Sequence, residues 1–224
     1  MPRRPRIVIP HLAYHVTQRG NYRQRIFKED KDYKQYLYWM NECAAKYELE
    51  ILAYCLMNNH VHFIVIPAKE ESLARTFNAV HMRYAQYHNR KKKVYGHLWQ
   101  GRFFSCILDD AHLYRAIRYV ERNPVRAKIV KKAWDYSWSS ARTHIGEEET
   151  PRVILSPKFK MMDEKSWGNY LHDDDEEMNR EMRLKTLRGL VVGTKEFIMK
   201  LEGKLQRSLA CLNPGRPKKE IRGR

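Results

Sequence analysis

The stretch 50–67 restricts the possible folds more than any other. Glu50 to Met57 and His60 to Pro67 are runs of strand length, and Asn58-Asn59 between them is a turn dipeptide, so the spacing predicts a β-hairpin. Inside the second run, His60 and His62 flank Val61. Successive strand side chains point to opposite faces, so the two imidazoles share one face while Val61 enters a core on the other. Two imidazoles converging from one strand face suit a divalent cation. Taken alone, the same alternation also suits a polar strand surface.

The rest of the pattern places this hairpin in a sheet covered by helices. Ala13 to Arg19 is strand-like and ends at the turn signal Gly20-Asn21. Tyr33, Tyr36, Leu37, Met40 and Cys43 recur at helical spacing across Asp30 to Tyr47. Ser72 can cap a long helix from Leu73 to about Asn89. The cluster Arg90-Lys91-Lys92-Lys93 that ends it reads equally as a solvated loop or a phosphate clamp. Leu98 to Leu108 is a fourth strand region with Arg102 inside it. Asp109-Asp110 starts a helix that stops at Asn123-Pro124, because the residue before proline disfavours helical geometry. This order predicts an α+β fold, an antiparallel sheet with packed helices. Residues 1–145 form the main domain, 146–175 an acidic linker, 176–212 a helical C-terminal extension and 213–224 a basic Gly/Pro tail.

Charge narrows the partner. The chain carries 43 Lys+Arg against 26 Asp+Glu, a net +17. Residues 146–181 hold eleven acids and five bases, so the remainder is more basic still. A basic body of this kind suits a polyanion, and nucleic acid before a membrane surface, because no segment sets a Lys/Arg face against a Trp/Leu face. No run is long and apolar enough to span a membrane. Cys43, Cys55, Cys106 and Cys211 are widely spaced among apolar neighbours, which suits reduced thiols in the core of a cytoplasmic protein.

The helix beginning near Asp110 carries the second decisive pattern. Leu113, Ala116, Ile117 and Val120 form its buried stripe. Tyr119 and Asn123, four residues apart, lie together on one flank, and Arg115, Arg118 and Arg122 lie on the outer side, within reach of a phosphate backbone.

These pieces occur in a telling order: Tyr14-His15-Val16-Thr17-x-Arg19-Gly20-Asn21, Met57-Asn58-Asn59-His60-Val61-His62, Trp99-Gln100-Gly101-Arg102-Phe103, Tyr119-x-x-x-Asn123-Pro124-Val125-Arg126-Ala127 and Trp138-Ser139-Ser140. The set resembles the HUH single-tyrosine transposases, and among them the REP-associated tyrosine transposases, over residues 1 to about 145. The resemblance implies a ferredoxin-like or RRM-like palm. It makes His60 and His62 metal ligands, Tyr119 the nucleophile and Asn123 a polar third ligand. The implied substrate is single-stranded DNA with a hairpin or palindrome beside the cleavage site.

The residue chemistry is consistent with this. A free tyrosine has a pKa near ~10 and is a poor nucleophile at neutral pH. Two imidazoles, an amide oxygen and phosphate oxygens suit Mg²⁺ or Mn²⁺, which would polarise the scissile phosphate. Attack by Tyr119 would leave a 5′-phosphotyrosine and a free 3′-hydroxyl, exchanging one phosphodiester for another, so no nucleotide cofactor is needed. The chain has no Gly-x-x-x-x-Gly-Lys-Ser/Thr loop. Candidates for DNA contact are Arg19, Arg23, Arg25, Arg83 and Arg102 on phosphates, with Tyr22 or Trp99 on bases. His15 reads as a core histidine. In the tail, Gly215-Arg216-Pro217 suits a minor-groove hook or a loose basic end, with Arg216 as the reader. Monomer and homodimer both stay open. So does a domesticated protein that binds folded DNA or RNA without cutting it.

Overall fold

The computed structural model describes residues 7–148, 151–157 and 162–209. Strands β1 (Ala13–Arg19), β2 (Leu49–Met57) and β3 (His60–Pro67) form as expected, with β2 and β3 an antiparallel hairpin around Asn58-Asn59. β1 lies antiparallel to β3, and β4 (Phe104–Leu108) lies antiparallel to β1 on its other side. β5 (Val191–Val192) pairs parallel to β4, completing the order β2-β3-β1-β4-β5. The sheet is therefore mixed, not wholly antiparallel, and the expected helical extension supplies one of its strands. Two valines are too short a run to show a strand period; pairing with the free edge of β4 defines them. The expected strand at Leu98 to Leu108 begins only at Phe104. Trp99 makes an isolated bridge to Gly20, and Arg102 sits exposed in the loop between.

Eight helices are described: α1 (Asp30–Lys46), α2 (Ser72–Lys92), α3 (Asp110–Glu121), α4 (Asn123–Arg126), α5 (Ala141–His144), α6 (Glu164–Tyr170), α7 (Glu176–Arg188) and α8 (Lys195–Leu205). Two expected helix signals work differently from the reading above. Ser72 opens α2 without capping it, since its Oγ accepts the Lys69 N–H before the helix. Pro124 does not end the helical path. After Arg122 a new turn starts with Pro124 near its beginning, where a missing N–H removes no helical bond. Asp109 caps α3 as expected, accepting the His112 N–H at 2.8 Å.

The period-two alternation of the strands sorts residues into two cores. On one face, Val16, Val61, Phe63 and Val65 meet Tyr36, Leu37, Met40, Phe77 and Tyr84 of α1 and α2. On the other, Ala13, Ala53, Cys55, Ile64 and Cys106 meet Ala116, Ile117, Tyr119 and Val120 of α3 and Met178 and Met182 of α7. Ala13, Ala53, Cys55 and Cys106 on this second face are small, which leaves room for the histidines. The acidic segment 146–175 is not merely a tether: α6 within it buries Trp167 in this second core.

Trp138-Ser139-Ser140 has a structural explanation. It lies along the free edge of β2, where Leu56 N–H donates to Trp138 O at 2.8 Å and Ser140 N–H to Tyr54 O at 3.0 Å. Ser140 Oγ, His144 Nδ1 and Trp167 Nε1 all converge on the fully buried carboxylate of Glu121, with Trp167 at 3.0 Å and His144 at 2.6 Å. This one carboxylate ties α3, the β2 edge and α6 together. Glu121→Ala would leave the His144 and Trp167 donors without an acceptor, with Ser140 Oγ keeping only Tyr54 O at 3.3 Å, and is expected to cost about 3 kcal/mol. Denaturant unfolding measures this directly; a cost near zero would remove the network from the account of stability.

Candidate active site

Strand register brings three histidines together. His15, His60 and His62 share the α3 face of the sheet, because β1 pairs with β3 so that Thr17 lies opposite His62 and Arg19 opposite His60. The His60 and His62 rings are 4.9 Å apart between centroids. Each has its Nδ1 engaged by the protein. His60 Nδ1 meets Asn59 Oδ1 at 2.5 Å, and His62 Nδ1 meets His15 Nε2 at 2.8 Å. An amide oxygen only accepts, so His60 carries its proton on Nδ1 and its Nε2 keeps a lone pair. His62 is in the same state when the chain of bonds runs from it to His15 and on to Thr186 Oγ1, 2.7 Å from His15 Nδ1. The Thr186 hydroxyl can then donate to Cys106 Sγ at 3.1 Å. Such outer partners orient metal-binding imidazoles.

Burial makes these rings neutral. Desolvation first, then the charges of Arg19, Arg126 and Arg183, lower His60 to about 4. Desolvation, reinforced by His60, His15 and Arg126, holds His62 well below the usual histidine range. Neutral imidazole is the form that ligates a cation. Among the described residues no group of three or more His, Cys, Asp or Glu is arranged as a metal centre. A third protein ligand would come from another residue type. Asn123, one helical turn after Tyr119, ties its Nδ2 to the carbonyls of Tyr119 and Val120 at 3.1 and 3.0 Å.

Tyr119 stands edge-on to the histidines. Its ring meets His15 at 5.6 Å and His62 at 5.9 Å between centroids, both at 87°. The amphipathic stripe of α3 packs the helix onto the sheet and turns this flank toward β3. Burial raises the Tyr119 pKa, and the Arg126 charge opposes that rise. The Arg126 guanidinium lies over the tyrosine ring, 4.3 Å from its centroid.

The arginines singled out in the sequence divide into two groups. Arg23, Arg25 and Arg102 are exposed, and Arg19 is held by Gln100 Oε1 at 3.1 Å beside His60. Residues 20–27 wrap the hairpin turn: Gly20 N–H donates to Asn59 O, Ile26 and Phe27 N–H to Asn58 O, and Asn59 Nδ2 to Arg23 O. Gly20 is required there, since a Cβ would lie 2.7 Å from Gln24 O. Tyr22 and Arg23 both have positive φ, 52° and 59°, and Tyr22 is 93% exposed. The second group is occupied. Arg83 pairs with Glu42 at 3.0 Å. Arg115 and Arg118 share Asp175 at 2.8 and 3.0 Å, and Arg122 donates to the carbonyls of Leu171 and His172. The expected outward reach of these last three is turned onto the acidic segment. Trp99 is also committed to the interior: its Nε1 donates to His81 O at 2.8 Å and its ring packs 4.5 Å from His81. In the 90–93 cluster, Lys91 pairs with Glu29 and Asp32. Arg216 lies outside the described residues.

Two features of this site are not marked in the sequence. His15 is a buried histidine as expected, yet it is also the partner of His62. Arg126 belongs to a quoted motif but was given no role. Strand pairing and helix docking create both relationships, and neither has a local sequence signal.

Buried neutral histidines also tie stability to pH. His15 and His81 are lowered to about 3, chiefly by desolvation, from an unfolded value of 6.5. Between those values the unfolded chain binds protons that the folded chain does not, so stability is full above pH 6.5 and falls as pH drops toward 3. Together the two groups should remove roughly 3 kcal/mol between pH 7.5 and 5.5. Urea midpoints across that range check this, and a flat profile would contradict it.

The family described as "Transposase IS200 like" matches residues 8–123, a stretch that holds the three histidines and Tyr119 and ends on Asn123. No curated protein matches the chain. Among solved structures, a REP-associated tyrosine transposase bound to a REP hairpin shares the fold at TM-score 0.56 and 18% identity, covering 72% of this chain and 95% of that one. A putative transposase from Deinococcus radiodurans gives TM-score 0.37 at 17% identity, covering 54% of this chain and 97% of its own. Among the described residues no helix is long and apolar enough to cross a membrane.

Proposed function

This chain belongs to the IS200-like transposase family, and from that premise we propose that it cuts and rejoins single-stranded DNA through Tyr119. The observation that carries the reading is a tyrosine set edge-on to His62, whose ring in turn stands 4.9 Å from that of His60, with the Nδ1 atoms of both imidazoles already engaged. His60 and His62, through Nε2, and Asn123, through Oδ1, would hold Mg²⁺ or Mn²⁺. When bound, that ion supplies Lewis-acid polarisation of the scissile phosphate. Tyr119 is the nucleophile: its Oη bonds to phosphorus, the bond to O3′ breaks, and the 3′ side of the strand stays attached as a 5′-phosphotyrosine. Energy is conserved in that linkage, so rejoining needs no nucleotide cofactor.

The DNA path runs past the hairpin turn and the 20–27 loop. Arg19, Arg23, Arg25 and Arg102 meet phosphates there, and exposed Tyr22 offers a ring for base stacking. A strained backbone at Tyr22 and Arg23 fits a loop shaped for a ligand. The REP-associated branch, and with it a palindromic hairpin beside the cleavage site, is the substrate class this reading selects. The motif set and the shared fold support it. Residues 1–145 would carry the chemistry, with the C-terminal part buttressing it through Thr186.

The test uses the full chain and single-stranded hairpins built from inverted repeats flanking its gene. With a 3′ label and Mn²⁺, a protein–DNA species that survives denaturing electrophoresis is expected. Tight hairpin binding without that species at any divalent ion would favour a non-cleaving hairpin-binding protein.

A further inference from the structure

A second charged group stands beside the nucleophile, and none of the roles described so far uses it. Arg126 lies seven residues after Tyr119, across the break between α3 and α4. Its Nη2 donates to Tyr119 O at 2.7 Å, and its guanidinium stacks on the tyrosine ring. These contacts hold the side chain against both the backbone and the ring of Tyr119. Its Nη1 is buried and has no hydrogen-bond partner among the described residues. No carboxylate pairs with Arg126 among the described residues, although every other arginine of this helical segment is paired: Arg115 and Arg118 with Asp175, and Arg122 with carbonyls and Asp174. Facing it are His15, His60 and His62, each of which feels its charge, while Asp174 and Arg122 act on it through space with Asp174 too far away to pair. A buried cation with an orphan donor is costly, and such groups are held where something else will pair them.

We propose that Arg126 is a catalytic residue that binds a non-bridging oxygen of the scissile phosphate through Nη1. This rests on the strand-transfer reading above. Guanidinium matches phosphate oxygens in geometry, and it keeps its proton at any working pH. During transfer the Tyr119 Oη–P bond forms and the P–O3′ bond breaks. The phenolic proton leaves to solvent, and O3′ takes up one in return. Substrate and product are both phosphodiesters of equal charge, but negative charge gathers on the non-bridging oxygens between them. A fixed donor aimed at those oxygens acts most strongly at that point. In the covalent intermediate, the same contact would hold the phosphotyrosine for the second transfer.

The test compares wild type, Arg126→Gln and Arg126→Lys. In single-turnover assays, Arg126→Gln should slow adduct formation roughly 10²–10³-fold, the usual effect of losing one such donor. Arg126→Lys, which keeps the charge and loses the fork, should recover part of it. Once the cleaved bond is mapped, a methylphosphonate there removes the charge that Arg126 would meet. The two losses should then overlap, with Arg126→Gln adding little on that substrate. A second readout needs no activity: inorganic phosphate or tungstate should raise the Tm of the metal-free wild type and of Tyr119→Phe, and should not raise that of Arg126→Gln. Losses that multiply in full on the methylphosphonate, or an anion-induced Tm rise that survives in both Arg126 variants, would overturn the proposal. If wild type forms no adduct at all, the strand-transfer reading fails, while the anion titration still decides whether Arg126 binds an anion.

Discussion

Tyr119→Phe is expected to abolish the covalent protein–DNA species while leaving the fold and hairpin binding intact. The substitution removes one oxygen. The ring keeps its edge contacts with His15 and His62 and its place under the Arg126 guanidinium, so the second core should hold its packing. The hydroxyl's one partner is the Arg126 side chain, which keeps its bond to Tyr119 O, so stability should change by about 1 kcal/mol or less. The rate should fall by roughly 10⁴-fold or more, since removing a nucleophile leaves nothing to form the intermediate. Denaturing gels with 3′-labelled strands read the adduct, and gel shifts read the binding. Persistence of the adduct would move the nucleophile to another tyrosine. Tyr84 is a poor substitute, being buried with its hydroxyl donated to Ile26 O at 2.8 Å. Tyr114 on α3 packs near Trp167, away from the histidines.

Loss of His62 should have the second largest effect, and of a different kind. His62→Ala removes one of the proposed ligands and also strips His15 of its 2.8 Å partner. Divalent-ion affinity should fall at least about 10²-fold, since even loss of an outer partner costs 10- to 100-fold. Strand cleavage should fall with it, and high Mn²⁺ should restore little. His60→Ala should weaken ion binding likewise, but its partner Asn59 is on the turn, so the interior is spared. Mn²⁺ titration of each variant without DNA separates ion binding from catalysis. An unchanged ion affinity in both variants would remove the histidine pair from the metal site and leave it a polar surface of the sheet.

The hairpin was legible because its signals are local. Asn58-Asn59 turns the chain, and His60-Val61-His62 alternates faces whatever lies elsewhere. The same holds for the α3 stripe, where residues three and four apart must share a side. Asn123 and Tyr119 could be placed on one flank for that reason. Three failures share an opposite cause. Arg115, Arg118 and Arg122 lie on the outer side of α3 by periodicity, but a chain segment some fifty to sixty residues later folds over that side and supplies Asp174 and Asp175. Trp99 looked free for stacking because nothing local shows that His81 packs beneath it. Val191-Val192 gave no strand signal because its pairing partner, not its own pattern, makes it one.

The amino-acid sequence by itself determined the hairpin, the histidine pair on one strand face, the tyrosine on the helix flank and the basic character of the body, all consequences of periodicity and composition over a few residues. Only the tertiary structure decided that β1 pairs with β3 and so brings His15 onto His62, that Arg126 lies over Tyr119 with a buried nitrogen unpaired, and which arginines remain exposed. The physical reason is range. Helix and strand periods follow from backbone geometry within a turn or two, whereas the pairing of a charge or an imidazole depends on which distant element packs against it.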